Sequence, residues 1–194
     1  QTGSNAGQTL TISIASSAPS VLGTYASTGP TRAALTAAQT AADNSTLDGN
    51  DVVLTASGST TTIDVAAADS AKTVAAKVNA VSDTTGVNAD AKNYALLFST
   101  NASSADYTVS INGNATSAFA ISSSDVTDAV AKINLISATT GISASATTAN
   151  EVLLYDADGD DITIENAGAG GDLDVQAVQS DGSTTQGSAV SLGV

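Results

Sequence analysis

The sequence predicts an α+β fold rich in β-structure: two tandem small β-sheet lobes, each packing one short helix, and a base sheet made by the N- and C-terminal segments. Three observations carry this. Short apolar/polar alternations recur between Gly- and Asn-rich turns, the signature of half-buried strands. Two stretches have helical apolar spacing. Those two stretches are copies of one unit, for residues 72–87 (KTVAAKVNAVSDTTGV) and 127–142 (TDAVAKINLISATTGI) match at an offset of 55 residues, with Lys77/Lys132, Asn79/Asn134, Ser82/Ser137, Thr85/Thr140 and Gly86/Gly141 in register. An internal repeat points to a modular, structural chain.

Along the chain, Leu10, Ile12 and Ile14 alternate with Thr9, Thr11 and Ser13 and predict a first strand. A Gly/Pro/Ser loop follows to Pro30, then an alanine-rich helix over 31–42, since alanine has the highest helix propensity and Pro suits a helix start. Asp48-Gly49-Asn50 is a turn. In the first repeat, 51–104, strands 52–56 and 61–65 flank Ser57-Gly58-Ser59 as a hairpin. Asp69 or Ser70 caps a helix with the stripe Val74, Val78 and Val81, Gly86 ends it, and strand 94–99 closes the unit.

In the second repeat, 105–166, Tyr107, Val109 and Ile111 alternate up to an Asn112-Gly113-Asn114 turn, and 118–121 returns. Ser124 or a neighbouring serine is expected to cap a helix whose stripe is Val126, Val130, Ile133 and Ile136, with Asp125 and Asp128 near its positive end. Gly141 ends it. Strands 152–155 and 162–165 are expected to form a hairpin around Asp156–Asp161. In the tail, 167–194, Leu173 and Val175 alternate, 182–187 is a polar turn, and 189–194 is a last strand. Segments 1–50 and 167–194 then complete one base subdomain. With both ends together, no leader at Gln1 and no run of about 18 apolar residues, the expectation is an excised or processed piece inserted in a larger parent.

Composition narrows function. There is no His and no Cys, which removes imidazole bases, Ser-His triads, thiolate nucleophiles and the usual zinc sites. Net charge is −14, from 19 acidic and 5 basic residues, which argues against nucleic-acid and anionic-membrane partners. Aromatics are only 3% of the chain, too few to line a sugar-cleaving pocket, so no enzyme, catalytic residue or cofactor is expected.

Four features remain as candidate sites. Asp156, Asp158 and Asp160 in the run Asp156–Asp161 are calcium candidates, since Ca²⁺ takes several hard oxygens. The twelfth position of an EF-hand counted from Asp156 is Ala167, so an acidic hairpin turn is the favoured reading. Lys77 and Lys132 are expected to be solvated. Asn79 and Asn134, unfavourable inside a helix, are expected to bond a neighbouring strand or loop. Asn44-Ser45-Thr46, Asn101-Ala102-Ser103 and Asn114-Ala115-Thr116 fit the N-glycosylation pattern, which arises easily in so Ser/Thr/Asn-rich a chain.

The repeat resembles the flagellin hook IN motif. The second copy carries S-I-N-G at 110–113, A-K-I-N at 131–134, T-T-G-I at 139–142 and V-L-L-Y at 152–155; the first is looser, with A-S-G at 56–58 and A-K-V-N at 76–79. The opening QTGSNAGQTLTISI at 1–14 is similar to the flagellin segment that leads from the rod domain into the outer domains. No long filament-core helix is predicted. The resemblance implies the surface-exposed outer domain of a bacterial flagellin: a structural, extracellular part of the filament that serves motility. It implies export by the flagellar secretion apparatus, neighbouring flagellin subunits as partners through the parent, and surface glycans as a further candidate. Two alternatives stand beside it, a flagellar cap or hook-associated protein and a carbohydrate- or host-binding adhesin module.

Overall fold

Ala95, Leu96 and Leu97 are buried in succession, which a strand achieves only when it is covered on both faces and flanked on both sides. The strand that contains them, β3 (Asn93–Phe98), is the centre of the largest sheet. The structure is a computed structural model that describes residues 48–49, 51–56, 59–168 and 173–192. The predicted strand at 8–14 and helix at 31–42 lie outside the described residues, and so does the N-terminal half of the predicted base sheet.

The chain is β-rich α+β, as expected. The first unit opens with the antiparallel hairpin β1 (Val52–Ala56) and β2 (Ser59–Ile63), then helix α1 (Ala71–Asn79) and the single turn α2 (Ser82–Thr85). After β3 come β4 (Ala105–Tyr107), β5 (Val109–Ile111), β6 (Asn114–Ala115) and β7 (Phe119–Ile121). Helix α3 (Thr127–Asn134) and the turn α4 (Ser137–Thr140) lead to β8 (Ile142–Ala146), β9 (Val152–Asp156) and β10 (Ile164–Asn166). The last pair is β11 (Leu173–Val178) and β12 (Thr185–Leu192).

The main sheet runs β12-β11-β3-β9-β8, with every neighbouring pair antiparallel. Its inner face carries Leu97, Val152, Leu154, Ile142, Leu173 and Val175. Over that face lie α3, through Val126, Ala129 and Ile133, and the side chains of β4, β5 and β7, among them Tyr107, Ile111 and Phe119. On the outer face Tyr94 and Tyr155, cross-strand partners on β3 and β9, stack at 4.7 Å.

Four expectations change here. β3 does not close the first unit on itself; it pairs with β9 of the second unit and with β11, because its buried Ala95-Leu96-Leu97 run needs neighbours on both edges. β9 and β10 are not a hairpin: β10 pairs with β5 instead, so residues 157–163 cross from one sheet to another. A strand over 142–146 is additional. Its alternation of Ile142 and Ala144 with Ser143 and Ser145 is too weakly apolar to stand out in sequence, yet Ile142 and Ala144 are buried beneath α3. In the tail, β12 begins at Thr185 rather than Ala189 and absorbs Gly187 in a register shift against β11.

Candidate functional site

The repeated residues form one device twice. In the first unit the Asn79 amide donates to the Ala89 carbonyl at 2.9 Å and its Oδ1 accepts from the Ala89 N–H at 2.8 Å. In the second, Asn134 does the same to Ala144, again at 2.9 and 2.8 Å. Each Asn thus imitates one rung of a β-ladder and ties the helix end to the segment ten residues on. The threonines match too. Thr85 Oγ1 donates to Val81 O at 3.0 Å and accepts from Val87 N at 3.2 Å, and Thr140 does so to Ile136 and Ile142 at 3.1 Å each. Between them Gly86 (φ 68°) and Gly141 (φ 77°) take the left-handed conformation that ends the turn. The expectation that Asn79 and Asn134 bond a neighbouring segment holds in both copies.

Start signals differ. Ser70 caps α1, its Oγ accepting from Thr73 N at 3.3 Å. α3 has no serine cap; Asp125 Oδ1 instead accepts from Thr127 N at 2.9 Å, holding the Asp125 carboxyl below its ordinary range. Asp128, expected only to complement the helix dipole, accepts from Ala120 N at 2.9 Å and so fastens α3 to β7.

Lys77 is not simply solvated. Its ammonium pairs with Asp69 Oδ2 at 2.5 Å and donates to Asp64 O at 3.0 Å. Together with the Ala66 N–H, that contact holds the Asp69 carboxyl below its ordinary value of 3.8. Lys132 is half-buried and forms no ion pair among the described residues.

The acidic run closes around its own backbone. Asp156 is buried, and its Oδ1 accepts from the N–H groups of Asp158 (2.8 Å) and Asp160 (3.3 Å). Asp158 and Asp160 turn to Lys72 Nζ at 3.5 and 3.4 Å. The Gly159 carbonyl accepts from the Lys72 backbone N–H at 3.0 Å, filling one of the free donors at the start of α1. Gly159 sits at φ 73° so close to the 91–92 backbone that a Cβ would stand 2.4 Å from that of Ala91, and only glycine fits. The calcium candidates Asp156, Asp158 and Asp160 are thus one backbone cap and two partners of a lysine. Among the described residues no group of three or more acidic side chains is arranged to hold a metal ion.

Sequence reasoning missed Lys72. It lies 86 residues from Asp158, so no local spacing could have joined them. Between α1 and the acidic run is an open cleft of about 310 Å³, bordered by Lys72, Ala76, Asn79, Asp90 and Asp158.

Of the glycosylation patterns, Asn44-Ser45-Thr46 lies outside the described residues. Asn101 is on an exposed loop. Asn114 spends its amide on Asn112 O at 2.9 Å, and Thr116 is buried against Val109, so the third pattern is absorbed by the turn.

Set beside known families, the geometry acquires a relative. Residues 51–102 match the flagellin hook IN motif. The match falls on the copy with the looser motif residues and runs from just before β1 to just past β3, so it contains the Asn79 clasp, the Thr85-Gly86 cap and the central strand. This segment is flagellin-related. No curated protein matches the chain. Among the described residues no helix is long and apolar enough to cross a membrane.

Proposed function

We propose that the chain is the structural, surface-exposed outer domain of a bacterial flagellin, decorating the flagellar filament outside the cell. The observation that carries this reading is the flagellin hook IN match over 51–102, joined to the recurrence of its clasp at Asn134, Thr140 and Gly141. On this reading residues 105–166 are a second hook IN unit. The part played is mechanical: bulk, drag, surface charge and contact with neighbouring flagellin subunits, with export by the flagellar secretion apparatus as part of the parent protein.

The physical character of the chain supports such a role. A net charge of −14 keeps densely displayed copies apart and soluble. The Asn and Thr side chains that recur between copies are engaged in holding the fold, in the manner of a scaffold.

Antibodies raised against this chain and applied to intact flagella test the reading. Labelling along the whole filament is expected. Labelling confined to the tip or to the hook junction would point to a cap or hook-associated protein and overturn it, and so would labelling of a cell-surface structure other than the flagellum.

A further inference from the structure

The two units are anchored differently. The buried cluster of the molecule runs from Ala95 to Val175 and takes no described residue from the first unit before Ala95. The buried apolar residues Ile63, Val65 and Val78 lie apart from that cluster, where α1 packs on β2 and α2 on β1. Within the first unit, residues 51–88 therefore bury apolar side chains outside that cluster.

Among the described residues, hydrogen bonds and ion pairs from it to the second unit gather on one loop. Lys72 N–H bonds Gly159 O, and Lys72 Nζ pairs with Asp158 and Asp160. The same loop grips the chain that leads out of the unit, through the close approach of Gly159 to Ala91 and the bond from Asn93 Nδ2 to Asp160 O at 2.9 Å. The cleft lies on this seam, beside these polar contacts.

We propose that residues 51–88 form a hinged lobe that opens on the body about the 87–92 linker, and that the Asp156–Asp161 loop is the latch that holds it closed through Lys72. Exposed ion pairs are weak and are screened by salt, so the closed fraction falls as ionic strength rises.

The charges around the latch set its pH range. Facing Lys72 are Asp158 and Asp160 from the loop, with Asp156 turned onto the loop backbone and Asp161 beside it. From the linker come Asp90 and Lys92, paired with each other at 3.4 Å; Asp69 on the near side of α1 is paired with Lys77. Burial pushes the Asp160 carboxyl up, but the Asp161 N–H, Lys72 and the Ser70 hydroxyl outweigh it and leave it below 3.8. Its contribution to closure is present above that ordinary value and is lost as pH falls through the lowered one. Lys72 is raised above 10.5, chiefly by its bond to Asp160, so its contribution is present below 10.5 and is lost as pH rises through the raised value.

The chain contains no cysteine, so Thr84→Cys and Ser145→Cys, both at exposed positions, place two spin labels without background, one on the lobe and one on the body. At low salt a single narrow distance distribution is expected. A second, broader component is expected to grow about 2- to 5-fold with Lys72→Gln, and comparably near 1 M salt. Gly159→Ala, whose new methyl cannot fit against Ala91, is expected to enlarge it further at every salt concentration. Hydrogen exchange at the Ala144 amide is measured alongside and is expected to stay unchanged in all three cases. An unchanged distribution in both variants and at high salt overturns the latch. Loss of Ala144 protection in step with the new component overturns the hinge, because it signals unfolding of the whole.

Discussion

The two repeat units share the same helix-ending hardware, yet one is built into the main core and the other stands beside it. In the second, Ile133 is fully buried against the main sheet, and the Asn112 side chain ties the hairpin turn to Thr140 O at 3.2 Å and to Thr163 N at 2.9 Å. In the first, Val78 at the position of Ile133 is buried outside that core, on a helix that packs against β2, and Lys77 reinforces the helix through Asp69. The difference teaches that the repeated residues specify a local clasp, while the apolar residues between them decide whether the clasp is joined to a large core or a small one.

The largest test of this contrast is core truncation. Ile133→Ala is expected to cost about 3–4 kcal/mol of global stability and Val78→Ala about 1–2 kcal/mol, read by urea unfolding. Equal losses would remove the distinction between the units. Next come the clasps. Asn134→Ala leaves Ala144 N–H and C=O without partners in a part-buried place, for about 1–2 kcal/mol, whereas Asn79→Ala at its exposed position costs roughly half as much.

Tyr107 sharpens the picture of the main core. It is 1% exposed, its ring lies 6.4 Å from that of Phe119, and its hydroxyl has no hydrogen-bond partner among the described residues. Tyr107→Phe is therefore expected to be neutral or to stabilise by up to about 1 kcal/mol; a clear destabilisation would mean the hydroxyl is engaged.

Acid should weaken the first unit at Asp69. Asp69 contributes to the first unit above its ordinary 3.8, and the contribution is lost as pH falls through its lowered value in the folded chain. The amides of 66–78 are expected to lose protection from exchange over that range, and Lys77→Met is expected to remove this acid step. The smallest expected effect is that of calcium: with Asp158 and Asp160 directed at Lys72, millimolar Ca²⁺ should leave the melting temperature unchanged, and an upward shift would revive the metal reading.

What was legible in the sequence was local. A cap at Asp69 or Ser70, which fell to Ser70, Asn112-Gly113 as a turn with positive φ at both residues, the glycine stops and the bonding of Asn79 and Asn134 are all decided within about ten residues. The long-range pairings were not. Nothing near Leu97 says that it faces Val152 rather than a strand of its own unit, because any apolar strand offers the same face. The Asp156–Asp161 run read as a hairpin because Asp-Gly is a hairpin signal, but the strands on its two sides had better partners elsewhere. Lys72 was invisible as part of a site for the same reason, since its carboxylates are near only once the chain has folded.

One pair of amides reports directly on whether one clasp serves two differently anchored units. Ala89 N–H and Ala144 N–H are held at the same 2.8 Å by Asn79 and Asn134. In native-state hydrogen exchange, Ala144 is expected to exchange only with global unfolding, and its opening free energy should track denaturant with the full slope. Ala89 is expected to exchange through a smaller opening of the 51–88 unit, faster and with a shallower slope. Equal opening energies and equal slopes at the two amides would contradict the separation of the units.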